Sequence, residues 1–171
     1  MEEFEHLVQR THEQDLKLII DFVPNHVARE YHSDQCPEQD FGLHDDRTKS
    51  FSTNNDFYYI VDEDLQVPLN EHLSPSLDRS NLSRFQETPA RATGNNVFHS
   101  KPSITDWYET VKLNYGVDYS TMTNHFDPRP PVWEKMYRIL TYWIDKGVDG
   151  FRCDMVNFVF ELLFKYEFRI I

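Results

Sequence analysis

An arginine and an aspartate lie two residues apart near the end of the sequence, in the segment Gly150-Phe151-Arg152-Cys153-Asp154. Side chains of a β-strand alternate between its two faces, so a strand here places Gly150, Arg152 and Asp154 together. A guanidinium beside a carboxylate favours the ionised acid, and an ionised, positioned carboxylate can act as a nucleophile. The same spacing is equally consistent with a structural ion pair, so this motif alone decides nothing.

A second polar group follows an apolar run earlier in the chain. Asp21, Val23 and Asn25 share one face if the run is a strand, and His26 comes directly after them. A carboxylate, an amide and an imidazole would then meet at one strand end. A turn-capping role for Asn25 and an ordinary surface position for His26 remain open alternatives.

Two parallel strands and a helix would position these side chains. Residues 16–23 form a short apolar run, which predicts a strand buried on both faces of a sheet, and residues 148–155 predict a second strand. Apolar residues recur at helical spacing from 131 to 147, with Pro131 suited to the first turn and Gly147 to the position after the last. The order predicts a βαβ unit with an enlarged crossover, in which ligands bind at the carboxyl ends of the strands.

The rest of the chain predicts a short helix and an irregular insert. Residues 2–14 predict a helix with one apolar face, formed by Phe4, Leu7 and Val8. Residues 27–128 contain polar, proline and aromatic residues without a sustained period. This segment is too long for a simple loop. Residues 57–61 and 96–99 predict strands within it. A folded subdomain is favoured over a disordered insert because aromatic residues are frequent.

The two polar motifs closely resemble a known family. Residues 21–26 resemble the signature that ends the third barrel strand of the alpha-amylase family, glycoside hydrolase family 13, and residues 150–154 resemble the signature that ends the fourth. Their order and the long insert also match. The resemblance implies an α/β fold, namely a fragment of a (β/α)8 TIM barrel with an inserted subdomain called domain B. The expected domains are partial barrel over 1–26 and 129–156, a domain B-like insert over 27–128, and a divergent apolar tail over 157–171.

The resemblance also implies an activity and site residues. Asp154 matches the catalytic nucleophile, and Arg152 matches the arginine that keeps it ionised. His26 matches the histidine that contacts the sugar, and Asp21 matches an aspartate that supports the site. The implied function is a retaining glycoside hydrolase of alpha-glucans such as starch and maltooligosaccharides, in carbohydrate metabolism. Hydrolysis and transglycosylation are not separated.

A metal site is a weaker implication. Asn25 matches an asparagine that is often a calcium ligand in this family. The stretch Val111-Lys112-Leu113-Asn114 lies where members carry a Pro-Asp-Leu-Asn-like sequence, so Lys112 replaces an aspartate that often binds calcium. A cation at that place would repel the ion, so we predict neither calcium nor another cofactor.

The insert also holds several aromatic residues close together in the sequence. They are Trp107, Tyr108, Tyr115 and Tyr119. Tyrosine and tryptophan offer flat apolar faces with a polar edge, on which sugar rings can stack. Packing of the subdomain is the interpretation we favour for this group.

Catalysis by retaining glycosidases needs two carboxyl groups about 5–5.5 Å apart, a nucleophile and a general acid. In this family the acid is a glutamate at the end of the next barrel strand, so we expect this chain to lack it and to be inactive alone.

The apolar segment 157–171 is consistent with a buried helix or with a disrupted reading frame. Unpaired sheet edges predict self-association.

Charge and composition limit the partners. Seventeen Lys and Arg against 29 Asp and Glu give a net charge of −12, which argues against nucleic acid and anionic membrane surfaces. Cys36 and Cys153 are expected to be unpaired thiols. No signal peptide is recognisable, although the parent protein could be secreted or periplasmic.

There are two alternatives to an enzyme. One is a non-catalytic carbohydrate-binding or transporter-associated relative, and the other is a truncated gene remnant.

Overall fold

A computed structural model describes residues 1–68 and 86–155, so the predicted tail over 157–171 lies outside the described residues. The chain divides into two compact units. The first comprises Met1–Asn25 with Trp133–Ile171, and the second comprises His26–Val132. The helices are α1 (Glu2–Glu13) and α2 (Pro131–Asp145), and the strands are β1 (Ile19–Phe22), β2 (His26–Ala28), β3 (Tyr59–Ile60), β4 (Ala90–Arg91), β5 (Thr110–Lys112), β6 (Val117–Asp118), β7 (Thr123–Asn124) and β8 (Gly150–Cys153).

The sheet of the first unit is a parallel pair, as the βαβ pattern predicts. β1 pairs with β8, and the register places Asp21 opposite Arg152. The ladder continues past β8, because the backbone N–H of Asp154 donates to the carbonyl of Phe22 at 2.9 Å. Two parallel strands therefore end side by side.

The predicted burial of the first strand on both faces is wrong. Ile19 is 61% exposed and Val23 is 37% exposed, whereas Phe22 is buried and packs edge-on against Phe151 at 5.9 Å between ring centroids. The physical reason is that β8 is the one strand paired with β1 among the described residues. One face and one edge of β1 consequently stay in solvent.

Both predicted helices of the first unit are confirmed. In α1, Val8 is buried and Phe4 contacts Trp143 of α2 at 5.1 Å between ring centroids, but Leu7 is 49% exposed and does not join the apolar face. Gly147 follows α2 with a left-handed φ of 90°, as predicted for the residue after a helix. A Cβ there would lie 2.8 Å from Cγ1 of Val8, so glycine also permits the close approach of α1.

A single aspartate joins the starts of the two strands. The carboxylate of Asp149 accepts hydrogen bonds from the backbone N–H of Leu18 at 2.9 Å, from Nε2 of His12 at 2.8 Å and from Nζ of Lys17 at 3.0 Å. These bonds hold the pKa of Asp149 well below its usual range, with the Leu18 N–H contributing most. The backbone N–H of Asp149 donates in turn to the carbonyl of Leu18.

The second unit is built from short antiparallel pairs around an aromatic and aliphatic core. β2 pairs with β5, β3 with β4, and β6 with β7. The predicted strand at 57–61 is present as the shorter β3. The predicted strand at 96–99 is wrong, because Asn96 has a left-handed φ of 65° and its N–H closes a turn onto the carbonyl of Thr93 at 3.0 Å.

Buried charged side chains form ion pairs with one another in this unit. Nη1 of Arg29 lies 2.5 Å from Oε1 of Glu87, and Nη2 of Arg91 lies 2.6 Å from Oε2 of the same glutamate. The Arg29 and Glu87 side chains are 4% and 9% exposed. Burial lowers the pKa of Arg29, and the charge of Glu87 opposes that shift.

The part of the chain that is described holds no helix long and apolar enough to cross a membrane.

Candidate active site

Three predicted site residues meet in the first unit. Nη1 of Arg152 lies 3.1 Å from Oδ2 of Asp21 and 3.3 Å from Oδ2 of Asp154. The parallel register causes this meeting, because it puts Asp21 and Arg152 opposite each other on neighbouring strands. One guanidinium thus lies within ion-pair distance of two carboxylates at the carboxyl ends of β1 and β8.

These charges are accessible to solvent. The Asp21, Arg152 and Asp154 side chains are 65%, 60% and 44% exposed. An exposed carboxylate can be reached by a substrate, whereas a buried ion pair of the same composition could not. The arrangement therefore suits a carboxylate that reacts or binds, at a strand end where ligands of parallel α/β folds are found.

The orientation of Asp154 is fixed from both sides. Its Oδ1 accepts the backbone N–H of Met155 at 3.0 Å, while its Oδ2 faces Arg152. Met155 has a left-handed φ of 59°, which is uncommon for a residue with a side chain. The chain turns sharply after β8, and this turn directs an amide N–H at the carboxylate.

His26 lies in the second unit, at the first position of β2. It pairs with Lys112 of β5 in an antiparallel register, so the two side chains are on the same face. The His26 ring lies 5.6 Å from the Trp107 ring between centroids, at an interplanar angle of 55°. A Cβ on Gly94 would lie 2.9 Å from Cγ of His26. The imidazole thus lies close to Gly94 of one loop and to the indole of another.

Two residues bear on the calcium site that the resemblance implies. Asn25 is fully buried, but Lys112 is also buried at 2% exposure, between the apolar neighbours Val111 and Leu113. Burial lowers the pKa of Lys112 to about 7. Calcium is bound by oxygen ligands, mainly carboxylates. Among residues 1–68 and 86–155 no group of three or more His, Cys, Asp or Glu side chains could hold a metal.

Two features were missed from the sequence. Asp149 organises the strand starts, and the sequence analysis assigned it no role although it lies within the predicted strand at 148–155. The contact of Trp107 with His26 joins residues far apart in the sequence, so no local pattern could have indicated it. Cys36 and Cys153 are free thiols, as predicted.

Comparison with known proteins gives a consistent result. The family described as "Alpha amylase, catalytic domain" matches residues 1–167. Similar proteins include the amino acid transporter heavy chain SLC3A1 of Mus musculus, 31% identical over 94% of this chain and 19% of its own length. Others are the oligo-1,6-glucosidase of Halalkalibacterium halodurans, 28% identical over 93% of this chain and 23% of its own length, and alpha-amylase 3 of Dictyoglomus thermophilum, 27% identical over 94% and 24%.

The chain thus spans about a fifth to a quarter of the length of these curated relatives. No solved structure matches it. The family match covers almost the whole sequence, including both polar motifs and the insert between them. This chain belongs to the alpha-amylase family of glycoside hydrolases, within the catalytic domain of that family.

Proposed function

We propose that the chain supplies the nucleophile half of a retaining active site for alpha-glucans. In this proposal β1 and β8 are the third and fourth strands of a (β/α)8 barrel, and His26–Val132 is domain B. The observation that carries it is the guanidinium of Arg152, 3.1 Å from Asp21 and 3.3 Å from Asp154 at two parallel strand ends. Relatives named as glucosidases and an amylase support the substrate class.

The proposed chemistry starts at Asp154. A carboxylate oxygen attacks the anomeric carbon of the sugar, and the glycosidic C–O bond breaks with its electron pair leaving on oxygen. A general acid protonates that oxygen, and water later hydrolyses the glycosyl ester. Arg152 orients the nucleophile and Asp21 positions Arg152. In the second unit, His26 binds a sugar hydroxyl. We assign the general acid to no residue of this chain, and propose that the chain alone does not turn over natural glucans.

An activated sugar tests the nucleophile without needing the acid. An α-glucosyl fluoride with a second fluorine at C5 loses fluoride readily, so Asp154 should form an ester that persists. We expect the intact mass to increase by one fluoroglucosyl group, with the label mapped to Asp154 by peptide analysis. Asp154→Asn should not be labelled, and Asp145→Asn, an exposed aspartate at the end of α2, should be labelled normally. A folded chain that stays unlabelled would contradict the assignment.

A non-catalytic role is the second candidate. The amino acid transporter heavy chain SLC3A1 of mouse is 31% identical to this chain, which favours a relative that works beside a transporter. The two candidates differ at Asp154. Saturable binding of maltooligosaccharide without any labelling by the activated fluoride would favour the non-catalytic candidate over the enzyme. Absence of both would favour a gene remnant.

We also propose that domain B of this chain uses no calcium. The buried side chain of Lys112 occupies the position at which the family often has an acidic ligand. The thermal midpoint should be the same in millimolar calcium and in excess chelator, because an ion that does not bind the native state cannot stabilise it. A higher midpoint in calcium would contradict this proposal.

A further inference from the structure

The aromatic residues of the insert that are close together in the sequence have different surroundings in the structure. Tyr115 is 5% exposed and belongs to the core of the second unit. Tyr119 packs against Tyr58 at 5.5 Å and Phe98 at 4.9 Å between ring centroids. These rings are used for packing. Trp107 is partly exposed, and it is different because its ring lies beside His26.

The backbone of Trp107 is held firmly by its neighbours. Its N–H donates to Oδ1 of Asn95 at 3.2 Å. Its carbonyl accepts the hydroxyl of Thr110 at 2.8 Å and the backbone N–H of Thr110 at 2.9 Å. The same threonine hydroxyl accepts the N–H of Gly94 at 3.1 Å. Trp107 is therefore fixed to β5 on one side and to the loop of residues 93–96 on the other.

The His26 side chain lies close to the same loop. A Cβ on Gly94 would lie 2.6 Å from Oγ1 of Thr110 and 2.9 Å from Cγ of His26, distances that real Cβ atoms do not show. Glycine is thus required for the imidazole to approach the loop this closely. The loop, Trp107 and His26 form one set of interlocked contacts within the second unit.

We infer that Trp107 and His26 together form a carbohydrate platform, with the indole face stacking on a pyranose ring of an alpha-glucan while the imidazole binds its hydroxyls. The inference deepens the proposed function and rests on it, since that function supplies the sugar contact of His26. An indole offers a large apolar face at little conformational cost, and the C–H face of a pyranose matches it. The hydrogen bonds that hold the Trp107 backbone reduce the ordering needed on binding, which favours affinity.

Binding of maltoheptaose to the full chain, measured by isothermal titration calorimetry, tests the platform. We expect Trp107→Ala to weaken binding by roughly tenfold or more, and Trp107→Phe to retain most of the affinity because a phenyl ring still stacks. Trp133→Phe, a conservative change at the start of α2, is the matched control and should bind like the wild type. Gly94→Ala should also weaken binding, because it displaces the His26 ring.

The outcomes separate the inference from the proposed function. Wild-type affinity in Trp107→Ala, with weaker binding by His26→Ala, would overturn the platform and leave the proposed function intact. No saturable binding by the wild-type chain would overturn the platform, and absence of labelling by the activated fluoride as well would overturn the proposed function. If Trp107→Ala does not fold by circular dichroism, Gly94→Ala and Trp107→Phe decide: weaker binding by Gly94→Ala with retention by Trp107→Phe supports the platform. Unchanged affinity in Gly94→Ala overturns it.

Discussion

Two groups of charges in this chain have similar composition and opposite environments. The exposed charge group, Asp21, Arg152 and Asp154, is between 44% and 65% accessible at the side chains. The buried charge group, Arg29, Glu87 and Arg91, is between 4% and 20% accessible. The first has one cation and two anions, and the second has two cations and one anion.

The comparison separates a structural role from a chemical role. In the buried charge group, Arg29 also donates to backbone carbonyls, including that of Tyr108 at 2.6 Å, so its hydrogen-bonding capacity is used inside the fold. In the exposed charge group, Arg152 holds two carboxylates that solvent and ligands can still reach. Exposed ion pairs add little to stability, whereas breaking a buried pair leaves a charge without compensation. Stability should therefore depend on Glu87, and chemistry on Asp154.

The largest expected effect comes from the buried charge group. Glu87→Ala should lower the free energy of unfolding by about 3–5 kcal/mol, because Arg29 and Arg91 would lose their shared anion in a desolvated place. Urea denaturation followed by circular dichroism measures this. Glu134→Ala, which removes an exposed pair with Arg138, is the matched control and should cost less than about 1 kcal/mol. Equal costs for the two variants would contradict the different roles assigned to the two charge groups.

Lys112 is a buried lysine outside both groups. Its pKa is lowered to about 7, while an unfolded lysine titrates near 10.5. Between these values the unfolded chain binds the extra proton, so the free energy of unfolding should rise with pH by at most about 1.4 kcal/mol per unit. Urea denaturation at pH 6, 7.5 and 9 tests this.

The matched variants for this prediction are Lys112→Met and Lys101→Met. The first should lose the rise in stability between pH 7.5 and 9, because no buried amine remains to release a proton. The second removes an exposed lysine and should keep the rise. A wild-type stability that is flat or falling over this range would show that Lys112 remains charged in the folded chain.

The smallest effect on stability is expected at the exposed charge group. Arg152→Met should change the free energy of unfolding by no more than about 0.5 kcal/mol, since the side chain is 60% exposed. Its effect on chemistry should be large, with labelling of Asp154 by the activated fluoride slowed roughly tenfold or more. Arg138→Met, another exposed arginine paired with an acid, should alter neither quantity. Loss of folding in Arg152→Met would assign Arg152 a structural role.

The sequence predicted the elements that depend on local pattern. Helix α2 and the glycine after it follow from apolar spacing and a left-handed turn, and the parallel pair follows from two apolar runs separated by a helix. The meeting of Asp21 with Arg152 needed only the correct register. The family match supports the assignment of both motifs, because it covers them together.

Other features depend on contacts between distant parts of the chain. The burial of β1 depends on how many strands flank it, and a run of apolar residues carries no information about that number. The strand predicted at 96–99 failed because the left-handed backbone of Asn96 turns the chain. The contact of Trp107 with His26 and the hydrogen bonds to the Asp149 carboxylate likewise join distant parts of the chain.

The discontinuity of the first unit has a consequence for the folding kinetics. Its two parallel strands are separated in the sequence by the whole of His26–Val132. Closing a long flexible loop costs entropy before the strand contacts that offset this cost have formed. Such non-local pairing is therefore slow. The second unit has its own core and its own strand pairs, so we expect it to fold first. Pairing of β1 with β8 would then be the late step, and the carboxylate that performs the proposed chemistry would be among the last residues to reach its place.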